Sequence, residues 1–339
     1  MEFKDNFKKT NDIDSKLIYG GYNEDADFTV CIPIYGVGKY FKETIENVFG
    51  LDTFGLNIQY IIHNNKPNIN HDEIVEVIAN KNNVVYFSTD KSLGQLNNFN
   101  RIIELAKTQY ATILHDDDFL IADYFLYVKK ALRFCDNKKI GMIHQKQVNF
   151  TDTIQIKNIT EFALYRKTAT GITLCGGTAT GFPTCGIIFN REAFIASGGF
   201  DDKYPSSGDA FLCLPMMELG YEIYQSSSIV GYYRIGDNLS LNYAICSGFI
   251  KDDVCFREYW YNKNSLRKLF YKLYGNYLYS SDIDTKCSLF GQYNKDINID
   301  NLDFQKKYRH YGKFNLIRRS FSLNLILYRI ITKMRNVKI

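Results

Sequence analysis

No two of the eight cysteines stand at CxxC spacing, and no histidine lies near them at metal-ligand spacing. That excludes the usual zinc sites and argues for free thiols in a reducing compartment rather than a disulfide framework. The opening stretch MEFKDNFKKTNDIDSK lacks the apolar segment of a secretory signal. Nowhere do roughly 18 apolar residues run together as a membrane span requires. Repeats and low-complexity linkers are missing too. What remains is ample core material: of 339 residues 45% are hydrophobic and 15% aromatic, and the mean hydropathy is -0.25. The length fits one large domain with an appendage, or two domains.

Acidic residues run out towards the end. Through Ile250 the chain carries a balance of -6, and from Lys251 onward +10. From Phe304 there are ten basic residues and no acidic one. A mildly acidic body with a basic tail points to an anionic surface nearby, either membrane or nucleic acid.

Residues 1–27 are polar and aperiodic, and are expected to form a loosely held leader. After them, short β-rich runs alternate with helical ones: strands at 28–34, 57–62, 84–88, 110–114 and 140–148, and helices near 39–49, 71–80, 96–107 and 122–134. Such alternation predicts a parallel α/β sheet. The Thr- and Gly-rich stretch 151–184 is expected to lie irregularly over the sheet mouth. A strand at 185–189, a helix at 191–197, a second helix entered at Asp209 as its N-cap and ended by Gly220, and strands at 221–224 and 229–233 follow. Beyond Lys251 the pattern is helical and basic.

The fourth strand runs into three carboxylates, Asp116-Asp117-Asp118. Two unit charges about 4 Å apart cost about 4 kcal/mol at an effective dielectric of 20. A fold either lets such a cluster spread into water as a solvated turn or neutralises it with a cation. Oxygen ligands suit Mg²⁺ or Mn²⁺, and the carboxyl ends of strands in an open α/β sheet are where ligands bind.

Six segments in order, VCIPIYGVGKYFKETIENVF, IQYIIHNN, SLGQLNNFNRIIELAKTQYATILHDDDFL, GGFDD, SGDAFLCLPMMELGYEI and GYYRIGDNLS, make residues 28–242 resemble family 2 glycosyltransferases. The resemblance implies the GT-A nucleotide-diphospho-sugar fold over 28–245, a mixed, mainly parallel sheet flanked by helices; the residues after it predict a basic helical C-terminal region over 246–339. It implies that Asp117 holds Mn²⁺ or Mg²⁺ on the donor diphosphate, with Asp116 towards the ribose or as second ligand and Asp118 in support. Pro33 and Tyr35 would line the base, which Asn64 replaces the usual acid in reading. Gly94 and Asn100 would lie along the nucleotide, and Arg234 would contact phosphate or else satisfy loop carbonyls. Asp209 would take the acceptor hydroxyl's proton, or serve as a plain N-cap.

This chain departs from the family at several places. Phe99 stands where an arginine is common, with Arg101 one residue on, about 100° around the helix; Lys91 is a candidate to replace it near the phosphates. Gly208 replaces a frequent glutamate. Gly236 replaces a histidine ligand, leaving Asp237 or water to fill that position, or the metal held mainly by Asp117 and the diphosphate. The expected activity is metal-dependent, inverting transfer from a nucleotide-diphospho-sugar, a UDP-sugar foremost, to a hydroxyl of a glycan or lipid-linked acceptor in polysaccharide biosynthesis. The rival is a non-catalytic relative acting as a binding subunit.

Asn315 to Arg335 places Arg318, Ser322, Arg329 and Lys333 on one side of a helical wheel and Leu316, Phe321, Leu323, Leu327, Ile330, Ile331 and Met334 on much of the other. Such a helix either lies in an anionic membrane interface or packs on the catalytic domain or on a second subunit. Nucleic acid is not expected, for want of a recognisable binding module. The expected location is cytoplasmic, with peripheral attachment to the inner face of the cell membrane.

Overall fold

The computed structural model describes residues 5–151, 162–176, 184–235, 243–293, 315–334 and 336–339. A short 3₁₀ turn (Asn6–Thr10) and β1 (Ser15–Gly20) lead into β2 (Phe28–Ile34), α1 (Phe41–Phe49), β3 (Ile58–Asn64), α2 (Asp72–Ile78), β4 (Val84–Thr89), α3 (Gln95–Leu105) and β5 (Tyr110–Ile113). Then come β6 (Phe119–Leu120), α4 (Tyr124–Cys135), β7 (Ile140–Phe150), β8 (Ala163–Lys167), α5 (Ala169–Leu174), β9 (Ile188–Asn190), α6 (Arg191–Ala196), α7 (Gly208–Glu218) and β10 (Glu222–Arg234). The last elements are α8 (Tyr243–Tyr261), α9 (Ser265–Tyr293), α10 (Asn315–Met334) and β11 (Asn336–Lys338).

All the strands join one sheet in the order β1-β4-β3-β2-β5-β9-β7-β10-β8-β11, with β6 paired to β10. Strands β4, β3, β2 and β5 run parallel, as do β7 and β10. The strand sequences explain why both faces are covered. On β2, Phe28, Val30, Ile32 and Ile34 enter a core roofed by α1, α2 and α4. Cys31 points into the opposite core, built with Phe99 and Ile102 of α3, Phe194 of α6, Leu212 of α7 and Trp260 of α8. Every residue of β2, β3 and β4 is buried, as expected of strands sandwiched between helix layers.

Three expectations need correction. The leader is not loose, because β1 pairs antiparallel with β4 and Phe7 is buried. Arg101 holds this segment, donating from Nη1 to Ile13 O (2.7 Å) and Ser15 Oγ (2.9 Å) and from Nη2 to Thr10 O (2.8 Å). The expected strands at 221–224 and 229–233 are one strand, β10, whose pairing shifts register between Gln225 and Ile229. The C-terminal region is helical but closes with β11, which adds antiparallel to β8 at the sheet edge. Part of the Thr- and Gly-rich middle, together with Gly236 and Asp237, lies outside the described residues.

Because β2, β3, β4 and β5 are parallel, the loops after them emerge at one side of the sheet. β10 runs the same way, so Arg234 at its end arrives beside the loop after β5. That convergence makes the site.

Candidate active site

After β5, Leu114 N donates to Cys31 O (2.9 Å), and the chain turns through His115 to Asp118, whose N–H donates to His115 O (3.3 Å). Asp118 is completely buried. One carboxylate oxygen accepts from Arg234 N (2.9 Å), and the other faces His115 Nδ1 at 3.1 Å. Arg234 then closes over the loop. It donates from Nε to Asp117 O (2.9 Å), from Nη1 to Thr151 O (3.4 Å) and from Nη2 to Glu43 Oε2 (2.9 Å). Its guanidinium lies 3.9, 5.0 and 4.6 Å from the ring centroids of Tyr40, Phe119 and Phe150. One planar cation with several donors can serve three elements at once, which lysine cannot. Arg234 is therefore a clamp on the aspartate loop, and these contacts are those of the loop-carbonyl alternative.

The loop's charges are crowded. Burial, with Asp117 adding to it, pushes the Asp116 carboxyl up to about 6. Burial and then Asp118 raise Asp117. For His115 burial works against the charged form, but the three carboxylates outweigh it and the imidazole is raised. Phe99, the residue that stands in place of an arginine, stacks on this imidazole at 5.5 Å with 16° between the planes.

Burial and the neighbouring carboxylates thus disfavour the charged forms of Asp116 and Asp117, which a nearby cation would favour. His115, Asp117 and Asp118 bring one potential ligand atom each within 4.8 Å of one another. The buried His115 Nε2 and Asp118 Oδ2 make no aligned hydrogen bond. The residues fit a divalent cation, with the hard carboxylates its natural ligands. His115 was not singled out from the sequence. Its position at the strand end was visible, but its return onto Asp118 is a property of the turn.

The remaining expected residues separate into two groups. Tyr35 is 62% exposed on the loop after β2, while Pro33 is buried in the strand, paired with His63. Gly94 starts α3 with φ +80°, and the space beside its Cα is open, so a ligand can approach the backbone there.

Asn64 and Asn100 are not presented to a ligand. Asn64 is fully buried and uses its whole amide on the protein. It accepts from Gly36 N (2.9 Å) and Lys66 N (3.1 Å) and donates to Lys66 O (2.7 Å) and Ser88 Oγ (2.9 Å). It braces the two loops instead of reading a base edge. Asn100 donates to Phe200 O (2.9 Å) and accepts from Phe200 N (2.7 Å), bolting the Gly198–Phe200 turn onto α3. Arg101 faces the N-terminal segment.

Asp209 is the second residue of α7, and Ser207, not Asp209, is the N-cap. The Asp209 side chain lies outside the described residues. Two features fix the start of this helix. Asp252 from α8 accepts from both Ser206 N (3.2 Å) and Ser207 N (3.1 Å). A Cβ at Gly208 would stand 2.8 Å from Leu96 Cδ1, so α3 packs where a glutamate would otherwise be.

A family model, glycosyl transferase family 2, matches residues 29–198, from the first core strand to the turn before α7. The chain belongs to that family. Among curated relatives, this family 2 member is 32% identical over 109 residues to the uncharacterized glycosyltransferase MG025 of Mycoplasma genitalium, covering 32% of this chain and 36% of that one. It is 26% identical over 136 residues to the abequosyltransferase RfbV of Salmonella typhimurium, covering 38% of each. The match thus spans little more than a third of the length of these relatives. The fold resembles S. aureus TarS 1-349 in complex with UDP-GlcNAc, with TM-score 0.50, 15% identity, and 88% of this chain and 79% of that one covered. It also resembles the mannosyltransferase PcManGT of Pyrobaculum calidifontis in complex with GDP-Man and Mn²⁺, with TM-score 0.53, 10% identity, and 91% and 86% covered. Both place this chain in the GT-A architecture.

Proposed function

We propose that the chain is an inverting glycosyltransferase that moves a sugar from a nucleotide-diphospho-sugar to a hydroxyl of a glycan or lipid-linked acceptor. The observation that carries this is the clamped aspartate loop, set at the mouth of the parallel strands and short of positive charge. Asp117 would hold a divalent cation, with Asp118 fixed behind it and Asp116 on the ribose side. When bound, that cation supplies charge neutralisation to the departing diphosphate. Tyr35 offers an exposed ring to the base, and the open backbone at Gly94 borders the donor. Asp209, at the start of α7 on the same side of the sheet, would accept the acceptor's proton as the anomeric carbon is attacked from the opposite face to the leaving group. The two fold neighbours were solved with a UDP-sugar and with a GDP-sugar plus Mn²⁺. This supports the donor class, with UDP-sugars first to be tried and Mn²⁺ or Mg²⁺ as the ion, in a cytoplasmic enzyme of polysaccharide biosynthesis.

The test is a thermal-shift screen of nucleoside diphosphates and their sugars with and without Mn²⁺, followed by transfer or slow hydrolysis of the best donor. Stabilisation should require nucleotide and metal together. Asp117→Asn should abolish it. Asp209→Asn should keep the shift and lower turnover by 10²-fold or more, the usual worth of a general base. Turnover at the wild-type rate in Asp209→Asn would remove the base assignment.

A further inference from the structure

Twelve large hydrophobic side chains are exposed among the described residues, and seven of them lie on two neighbouring helices. On α9 they are Leu266 (77%), Leu269 and Leu273; on α10 they are Leu323 (66%), Ile326, Leu327 and Ile330. The three- and four-residue spacings put each set in one stripe along its helix. The helices are held together by a different set. Phe321 sits between Phe270, Tyr274 and Tyr277 at 5.4–6.5 Å, and Tyr274 Oη and Ser320 Oγ are 2.7 Å apart. On the far side, Tyr328 of α10 lies against Gly171 of α5. Packing therefore uses one side of α10 and leaves the aliphatic row outside.

Charge decides what such a face fits. Lys268 and Lys272 on α9 and Arg318, Arg319 and Arg329 on α10 are exposed. No acidic residue occurs anywhere in α10, nor in α9 before Asp282. A second copy brought against this face would carry the same positive charge, so pairing like with like is opposed. An anionic bilayer meets both demands. Aliphatic rows enter the boundary between headgroups and acyl chains while flanking basic residues stay with the headgroups. No helix among the described residues is long and apolar enough to cross a membrane, so contact of this kind lies on the surface.

We propose that α9 and α10 together form a docking face for an anionic lipid bilayer. This goes beyond the transferase reading and holds whether or not the site turns over. From sequence alone only α10 was a candidate; the participation of α9 follows from the fold.

The experiment is flotation of the full chain with vesicles of phosphatidylcholine alone and of phosphatidylcholine with one third phosphatidylglycerol, with light scattering on the free protein. The wild type should float with the anionic vesicles about tenfold more than with the neutral ones, and less at high salt. Leu323→Ser/Leu327→Ser on α10 and Leu266→Ser/Leu269→Ser on α9 should each reduce flotation about tenfold while leaving the thermal midpoint unchanged. Arg318→Gln/Arg319→Gln should erase most of the preference for anionic lipid. Asp117→Asn should float like the wild type, which separates this face from the donor site. No flotation, equal flotation with both vesicles, or an α9 variant that floats like the wild type would overturn the proposal. So would a dimer in solution that Leu323→Ser/Leu327→Ser dissolves, because a second copy would then cover the face.

Discussion

At the scale of single residues, the site is governed by carboxylates that the fold keeps from water. Asp252 is the one whose effect on stability can be isolated, since it stands apart from the aspartate loop. Burial pushes its carboxyl up to about 6, although two backbone N–H groups work the other way. A folded-state value above the ordinary one near 4 means that the native chain holds a proton which the unfolded chain has released. The stability Asp252 contributes is thus whole below about pH 4 and is lost as pH rises through 6. Asp252→Asn keeps an oxygen for Ser206 and Ser207 and removes the charge. It should flatten the fall of stability between pH 4 and 6 and equal or exceed the wild type at pH 7, by at most about 3 kcal/mol. Asp252→Ala should cost about 1–2 kcal/mol below pH 4, because the Ser206 and Ser207 N–H groups lose their acceptor, and less as pH rises through 6, where loss of the buried charge offsets it. Urea titrations across pH distinguish the two outcomes. Arg234, by contrast, could be foreseen only in part. Its position in the chain suggests either phosphate or carbonyl contact, and only the approach of β10 to the loop after β5 brings the carbonyls of Asp117 and Thr151 to it.

At the scale of elements, the alternating pattern made β2 to β5 and α1 to α4 legible, because each strand is apolar on both faces and each helix on one. The site loops were legible as places, since they follow strands that had to be parallel. The occupations of Asn64 and Asn100 were not. Most of their partners, Gly36 and Ser88 for Asn64 and Phe200 for Asn100, come from segments that only the fold brings near, and composition carries no trace of them. The leader was misjudged for a similar reason. Its polarity hides that β1 sits at a sheet edge, where four of its six residues are exposed, and that Arg101 supplies hydrogen bonds holding it. Arg101→Ala should release this segment, costing about 2–4 kcal/mol through the carbonyls and hydroxyls it leaves unpaired. Limited proteolysis should then cut within residues 5–20 well before the rest of the chain, and a cleavage pattern like that of the wild type would show that β1 holds by strand pairing alone.

At the scale of the whole molecule, both outer edges of the sheet are made by the chain's distant parts. β1 covers β4, and β11 covers β8, where Asn336, Val337 and Lys338 meet Tyr165, Leu164 and Ala163. Ile339 adds two further bonds, from its N–H to Phe162 O (3.0 Å) and from Lys130 Nζ to its carbonyl (3.2 Å). Removing residues 336–339 should cost about 2–3 kcal/mol in backbone pairing. It should also promote aggregation at high concentration, as the edge of β8 becomes free to pair with other chains. A lowered thermal midpoint with rising turbidity would register both. The same edge bears on the order of assembly. β2 to β5 are joined by short βα units and can find one another locally, whereas Lys130 and Ile339 are 209 residues apart. Closing so large a loop precedes any return from the contacts it makes, and pairings of that kind slow folding. Refolding should therefore build the half that carries the aspartate loop early and seal the β8 edge last, so that for a time the chain carries a nearly finished loop cluster on an unfinished sheet.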